Sequence, residues 1–284
     1  MVKLIYGLAK FSDLKYGFGS KPKTFNKKKF LFYVKKNFHT FECADTYKRS
    51  IDYTKFLKDK NVHFKISKLS IKNSEKKIEN YFRNKISFYN KNHGSKHIKV
   101  LYLHENSLKI ISNYKVLNVI KKLKKENIVK NFGVSIYSED ELKFSIKSNH
   151  YKYIQIPINL ADSYFFFKYK NKFSKKIIVA RSIVLQGALL NSVKKKNFQS
   201  QIRKFKRQID DICKNYQISR EELVYRYLFS LKKLDYAIVG SINNKNIKSI
   251  IKHKKKPHLN RRIMRQLINL SKQKKTWVNP RHWI

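Results

Sequence analysis

The sequence predicts a closed, parallel (β/α)8 TIM barrel of eight strands. Two observations carry this. Eight short β-rich runs recur along the 284 residues, and longer helical stretches separate them. Strict alternation of this kind needs parallel strands joined by helical crossovers. Eight such repeats, over the roughly 250 residues typical of the architecture, close a barrel rather than leave an open sheet. No linker-like stretch divides the chain, so the expectation is one domain over residues 1–284, with a helical tail from about 258.

Taken in order, the predicted strands are Lys3–Leu8, Thr40–Ala44, His63–Lys68, Ile98–His104, Asn131–Ser135, Tyr153–Pro157, Ile177–Arg181 and Tyr236–Gly240. Each is rich in β-branched or aromatic residues. The helical candidates are Lys27–Asn37, Ser50–Lys60, Ser74–Asn90, Leu108–Asn127, Ser138–Ser148, Ser163–Phe173, a long region from Gln199 to Lys232, and Asn244–His253. Ser138 followed by Glu139, Asp140 and Glu141 is a helix start with acids on the dipole, and Ser219 with Glu221 and Glu222 repeats it. The tail adds a helix over Arg261–Lys272 and an irregular TWVNPRHWI end.

Composition bounds the function. The formal net charge is +48, which attracts any polyanion in a salt-dependent way. The lysines are spread through KKNF, SEKK, KKLKK, VKKK and KHKKK without forming a recognition module, so nonspecific nucleic-acid contact is the most they predict. Cys43 and Cys213 stand alone, which excludes a disulfide framework and argues for a reducing, cytoplasmic setting. No apolar run approaches the roughly 20 residues of a membrane span. His93, His97 and His104 lack ligand spacing, so no metal site is expected. The chain has 7 glycines where average usage gives about 20, so each retained glycine marks a constrained position. A GxGxxG turn is absent; Gly17–Phe18–Gly19 comes nearest, with Pro22 at the third glycine position.

The chemistry sits at strand ends. Glu42 and Tyr47 in FECADTY, Lys68 in VHFKISK and His104 in HIKVLYLH close three successive runs. In a parallel barrel those ends form the reactive face. A carboxylate, a phenol, an ammonium and an imidazole there form a proton-handling group. Singly, each has a plain structural reading: one of 18 tyrosines, one of many lysines, a core histidine.

The segment FECADTYKRS resembles the FDTAxxYGxSE motif of the aldo/keto reductases. The resemblance runs through nearly the whole chain: KLIYGLAKFSDLKYG, ISKLS, LYLHEN, NFGVSIYS, YIQIPINLAD, VARSIVLQGALL and LDYAIVGSINNKNI follow in the family's order. Gly7, Gly17, Gly133, Gly187 and Gly240 all fall within these segments.

The resemblance implies an NAD(P)-dependent oxidoreductase that transfers hydride between nicotinamide and a small carbonyl or alcohol substrate, with NADP as the expected cofactor and NAD as the alternative. Tyr47 would be the general acid, Lys68 would ease its ionisation, Glu42 would hold the lysine, and His104 would orient the substrate oxygen. Ser135, Gln155, Arg181, Ser182, Gly187, Gly240, Ser241, Lys245 and Asn246 would bind the cofactor. A cationic rim would favour an anionic substrate. The chain departs from the pattern at Glu42, where the family has aspartate, at Ile136 for asparagine, at Arg181 for an aromatic residue and at Ile242 for a basic one. A catalytic group displaced by about 1 Å loses on the order of 10²-fold in rate. The alternatives are therefore a catalytically impaired barrel of this family and a basic polyanion-binding protein on a barrel scaffold.

Overall fold

In a computed structural model, the predicted runs pair in sequence order and close on themselves, each parallel to the next and β8 back to β1. The structure describes residues 1–12, 26–47, 49–104, 107–191 and 196–279. Gly17, Gly19, Pro22 and the last five residues of the predicted irregular end lie outside them. The strands are β1 (Lys3–Gly7), β2 (Thr40–Ala44), β3 (Asn61–Ile66), β4 (Ile98–Leu103), β5 (Val129–Ser135), β6 (Tyr151–Pro157), β7 (Ile177–Arg181) and β8 (Tyr236–Val239).

The helices are α1 (Ala9–Ser12), α2 (Lys27–Asn37), α3 (Glu75–His93), α4 (Leu108–Ile111), α5 (Tyr114–Lys125), α6 (Glu139–Lys147), α7 (Tyr164–Tyr169), α8 (Lys196–Tyr216), α9 (Arg220–Phe229), α10 (Asn244–Lys255) and α11 (Arg261–Ser271). Local chemistry sets where the longer predicted helices break. Asn113 caps α5 by accepting from the Lys115 amide, which divides the predicted Leu108–Asn127 helix. Gln217 takes a left-handed φ of 49° and Ser219 caps α9, which divides the region after Gln199. The Ser138 capping box forms in both directions with Glu141. Ser50–Lys60 winds instead as a 3-10 helix over Ile51–Leu57.

Period-two alternation separates two cores. One face of the strands packs under the helices: Phe64 stacks on Tyr89 of α3 at 4.5 Å between ring centroids. The other face fills the barrel with Ile5, Val100, Tyr102, Tyr153 and Val179. Gly133 makes room there, because a Cβ on it would stand 2.6 Å from the Tyr102 ring. His63 points into the same interior, with its ring 5.9 Å from that of Tyr102 and 5.5 Å from that of Tyr153.

Candidate active site

Glu42 lies on β2 with its partner register set by β3: Glu42 faces His63 and Ala44 faces Lys65. His63 and Lys65 are two apart, so both point into the barrel. The Lys65 ammonium reaches the Glu42 carboxylate at 2.9 Å (Nζ to Oε1), and both side chains are only 3% exposed. The second oxygen, Oε2, accepts from Gln155 Nε2 at 2.6 Å. A buried carboxylate is tolerable when both oxygens are satisfied in this way. The negative charge is felt nearby: burial, then Glu42, raises the Tyr102 phenol well above its ordinary range. The same causes, burial first, hold up the Cys43 thiol.

Beyond the end of β2, the chain turns and the Tyr47 amide donates to the Ala44 carbonyl at 3.1 Å. This places the half-buried Tyr47 ring edge-on to the His104 imidazole, 5.9 Å between centroids. His104 follows β4 directly. Its amide donates to the Ile66 carbonyl at 2.8 Å, and its Nδ1 lies 3.2 Å from the Ser67 hydroxyl. Asp45 faces the other way: it pairs with Lys85 at 3.1 Å and accepts from the Ser67 amide.

These groups share one cavity of about 470 Å³ at the carboxyl ends of the strands. Glu42, Tyr47, Lys65 and His104 line one part of it, and Arg181, Ser182, Gly187, Gly240, Ser241 and Asn246 line the β7–β8 side. Arg181 donates Nη2 to the Ile136 carbonyl at 2.8 Å, and its guanidinium lies 3.9 Å over the Tyr137 ring. Its Nε is buried without a partner. Gly187 carries a φ of 95°, a conformation that only glycine adopts without strain.

The cavity therefore gathers Tyr47, His104 and Glu42 with most of the predicted cofactor residues. Four of the predicted residues lie off the cavity wall. Lys68 is exposed and outside the cavity wall: β3 ends at Ile66, the Ser67 amide turns to the Asp45 side chain, and Lys68 takes a left-handed φ of 58°. Lys65, paired with Glu42, lines the cavity instead. Lys245 is also exposed and off the wall. Ser135 and Gln155 are sealed within the barrel, where Gln155 serves Glu42. Lys65 had a legible signal: the period of two in VHFKISK puts it, and not Lys68, on the face of His63. Lys10 and Tyr137 carried no comparable pattern.

The sequence model described as the aldo/keto reductase family matches residues 3–268. Several solved structures are similar. A thermostable aldo-keto reductase in complex with the inhibitor epalrestat is 15% identical, with 94% of each chain covered and a TM-score of 0.70. An aldo-keto reductase from Bacillus halodurans, in its apo form, is 14% identical over 91% of this chain and 89% of that one, with a TM-score of 0.66. A glycerol dehydrogenase from Gluconobacter oxydans is 14% identical over 94% and 90%, with a TM-score of 0.70. At such identities the structural likeness speaks for the fold. No curated protein matches the chain.

Proposed function

The chain belongs to the aldo/keto reductase family, whose members are oxidoreductases that use nicotinamide cofactors, and from that premise we propose that it is an NAD(P)-dependent reductase of small carbonyl compounds. The observation that carries the reading is the common cavity of Tyr47, His104, Lys65 and Glu42. We read residues 1–284 as one catalytic barrel domain acting in the cytoplasm. Among the described residues no helix is long and apolar enough to cross a membrane.

The β7–β8 wall fits a dinucleotide by its donor set. Arg181 has an unpaired buried Nε, and Ser182, Ser241 and Asn246 add polar groups suited to sugar and phosphate oxygens. Bound there, the nicotinamide would supply the hydride. The excess positive charge of the chain favours NADPH over NADH.

The chain's own residues handle the proton. Tyr47 gives its phenolic proton to the oxygen that develops negative charge. A phenol ordinarily releases its proton near pH 10, and a cation beside it makes that release easier. Lys65 supplies the cation, Glu42 fixes it, and Gln155 fixes Glu42. The extra methylene of Glu42 thus serves a lysine three positions earlier than the one expected from the family resemblance. His104, anchored through Nδ1 by Ser67, orients the substrate oxygen.

Calorimetric titration with NADPH and NADH tests the reading, followed by turnover on an aldehyde panel. Micromolar NADPH binding with turnover supports it. Binding without turnover supports an impaired barrel instead, and no binding of either nucleotide contradicts both.

A further inference from the structure

Among the described residues, three cationic side chains, Lys10, Lys65 and Arg181, and one acid, Glu42, line the cavity. Lys65 is paired with that acid, and Arg181 is committed to the Ile136 carbonyl and the Tyr137 ring. Lys10 has neither a carboxylate nor a carbonyl partner among the described residues. Its side chain is half-buried, and burial lowers the pKa of its ammonium. On the open surface of so basic a chain, an unpaired lysine needs no explanation. In a pocket wall, a cation partly stripped of water gains more from an arriving anion than one on the open surface does.

Its place in the fold, on the turn after β1, limits the anion to the substrate or the cofactor. Lys10 follows Gly7, whose strand neighbour is Glu42, and the Leu8 amide donates to the Glu42 carbonyl at 2.9 Å. Lys10 therefore leaves the barrel between the β2 end that carries Tyr47 and the β8 end, where the Ser241 carbonyl accepts from the Tyr6 hydroxyl at 2.8 Å. The donors suited to a dinucleotide lie on the β7–β8 side, as Arg181, Ser182, Ser241 and Asn246.

We propose that Lys10 is a specificity-determining residue that receives the anionic group of the substrate, so that the preferred substrates are carbonyl compounds bearing a carboxylate or phosphate. This rests on the reductase reading above and adds the substrate class to it. A phosphate of the cofactor would offer Lys10 the same chemistry, and the experiment separates the two sources.

The ratio of kcat/KM for 4-carboxybenzaldehyde to that for 4-methylbenzaldehyde is measured at saturating NADPH in the parent, Lys10→Met and Lys10→Arg. The Kd for NADPH is measured in each. In Lys10→Met the ratio falls by about tenfold or more, the loss expected of one hydrogen bond between charged groups. Lys10→Arg keeps most of it. An unchanged ratio, or a weakened NADPH Kd with the ratio unmoved, overturns the proposal. Calorimetric binding of 4-carboxybenzyl alcohol gives a readout free of turnover. If no variant turns over, the reductase reading fails by itself. A Kd for the alcohol that weakens tenfold in Lys10→Met then still upholds the anion site, and an equal Kd removes it.

Discussion

The Lys65 ammonium stands 2.9 Å from the Glu42 carboxylate at the floor of the cavity, with both side chains buried. Removing one partner of such a pair leaves a buried charge alone, which costs about 3–5 kcal/mol. Lys65→Met should lower the unfolding free energy by that order. Lys68→Met, at an exposed position, should change it by no more than about 0.5 kcal/mol. Chemical denaturation of the two variants side by side checks this.

Gln155 should matter through Glu42. Its 2.6 Å hydrogen bond to the carboxylate is of the charge-assisted kind, worth roughly 1.5–3 kcal/mol. Gln155→Leu should destabilise by that order. Combining it with Glu42→Gln should cost less than the sum of the single changes, which a double-mutant cycle measures.

Gly133 is predicted to resist even a methyl group. A Cβ there would meet the Tyr102 ring at 2.6 Å and Tyr153 Cβ at 2.9 Å. Both residues pack in the barrel interior, so Gly133→Ala should cost about 1–3 kcal/mol by overpacking. A lowered thermal midpoint is the expected result.

A buried imidazole and a half-buried carboxyl give opposite pH dependences. Burial, with Lys99 and Lys65 nearby, holds the His63 imidazole down to about 3. Between its ordinary 6.5 and about 3 the unfolded chain binds a proton that the folded chain refuses, so stability falls as the pH drops through that window. Burial holds the Asp162 carboxyl up to about 6, against Arg181 and Lys275. Between 3.8 and about 6 the unfolded chain releases a proton that the folded chain keeps, so this group costs stability as the pH rises. His63→Leu should flatten the acid limb, and Asp162→Asn should raise the midpoint most above pH 6. Thermal melts from pH 4 to 8, taken as differences from the parent, separate the two.

The charge of +48 will bind DNA at low ionic strength whatever the chain's function. On the present account that binding is nonspecific. It should fall steeply on a log–log salt plot and weaken by orders of magnitude between about 50 and 200 mM salt. Tight, sequence-selective binding that survives at the upper end would favour the polyanion reading.

The barrel was legible because alternation and strand count are properties of the chain itself, and β2 and β7 appear with the predicted bounds. Tyr47 and His104 were legible because each follows a strand, and Glu42 because it lies on the strand whose end leads to Tyr47. The lysine was not. Motif likeness selected Lys68, while strand parity and the early end of β3 select Lys65. That Ser135 and Gln155 both lie below the cavity depends on depth within the barrel, which no local pattern encodes. Lys10 sits on the short α1 turn, where sequence gives no hint of what faces inward.

The most direct test of the Lys65 assignment is the rate of NADPH-dependent aldehyde reduction by folded Lys65→Met and Lys68→Met proteins, each confirmed by circular dichroism. The account predicts a loss of about 10²-fold or more in kcat for Lys65→Met, the scale of one lost acid–base contribution, and a near-parental rate for Lys68→Met. A parental rate in Lys65→Met, with the loss falling on Lys68→Met, would contradict it.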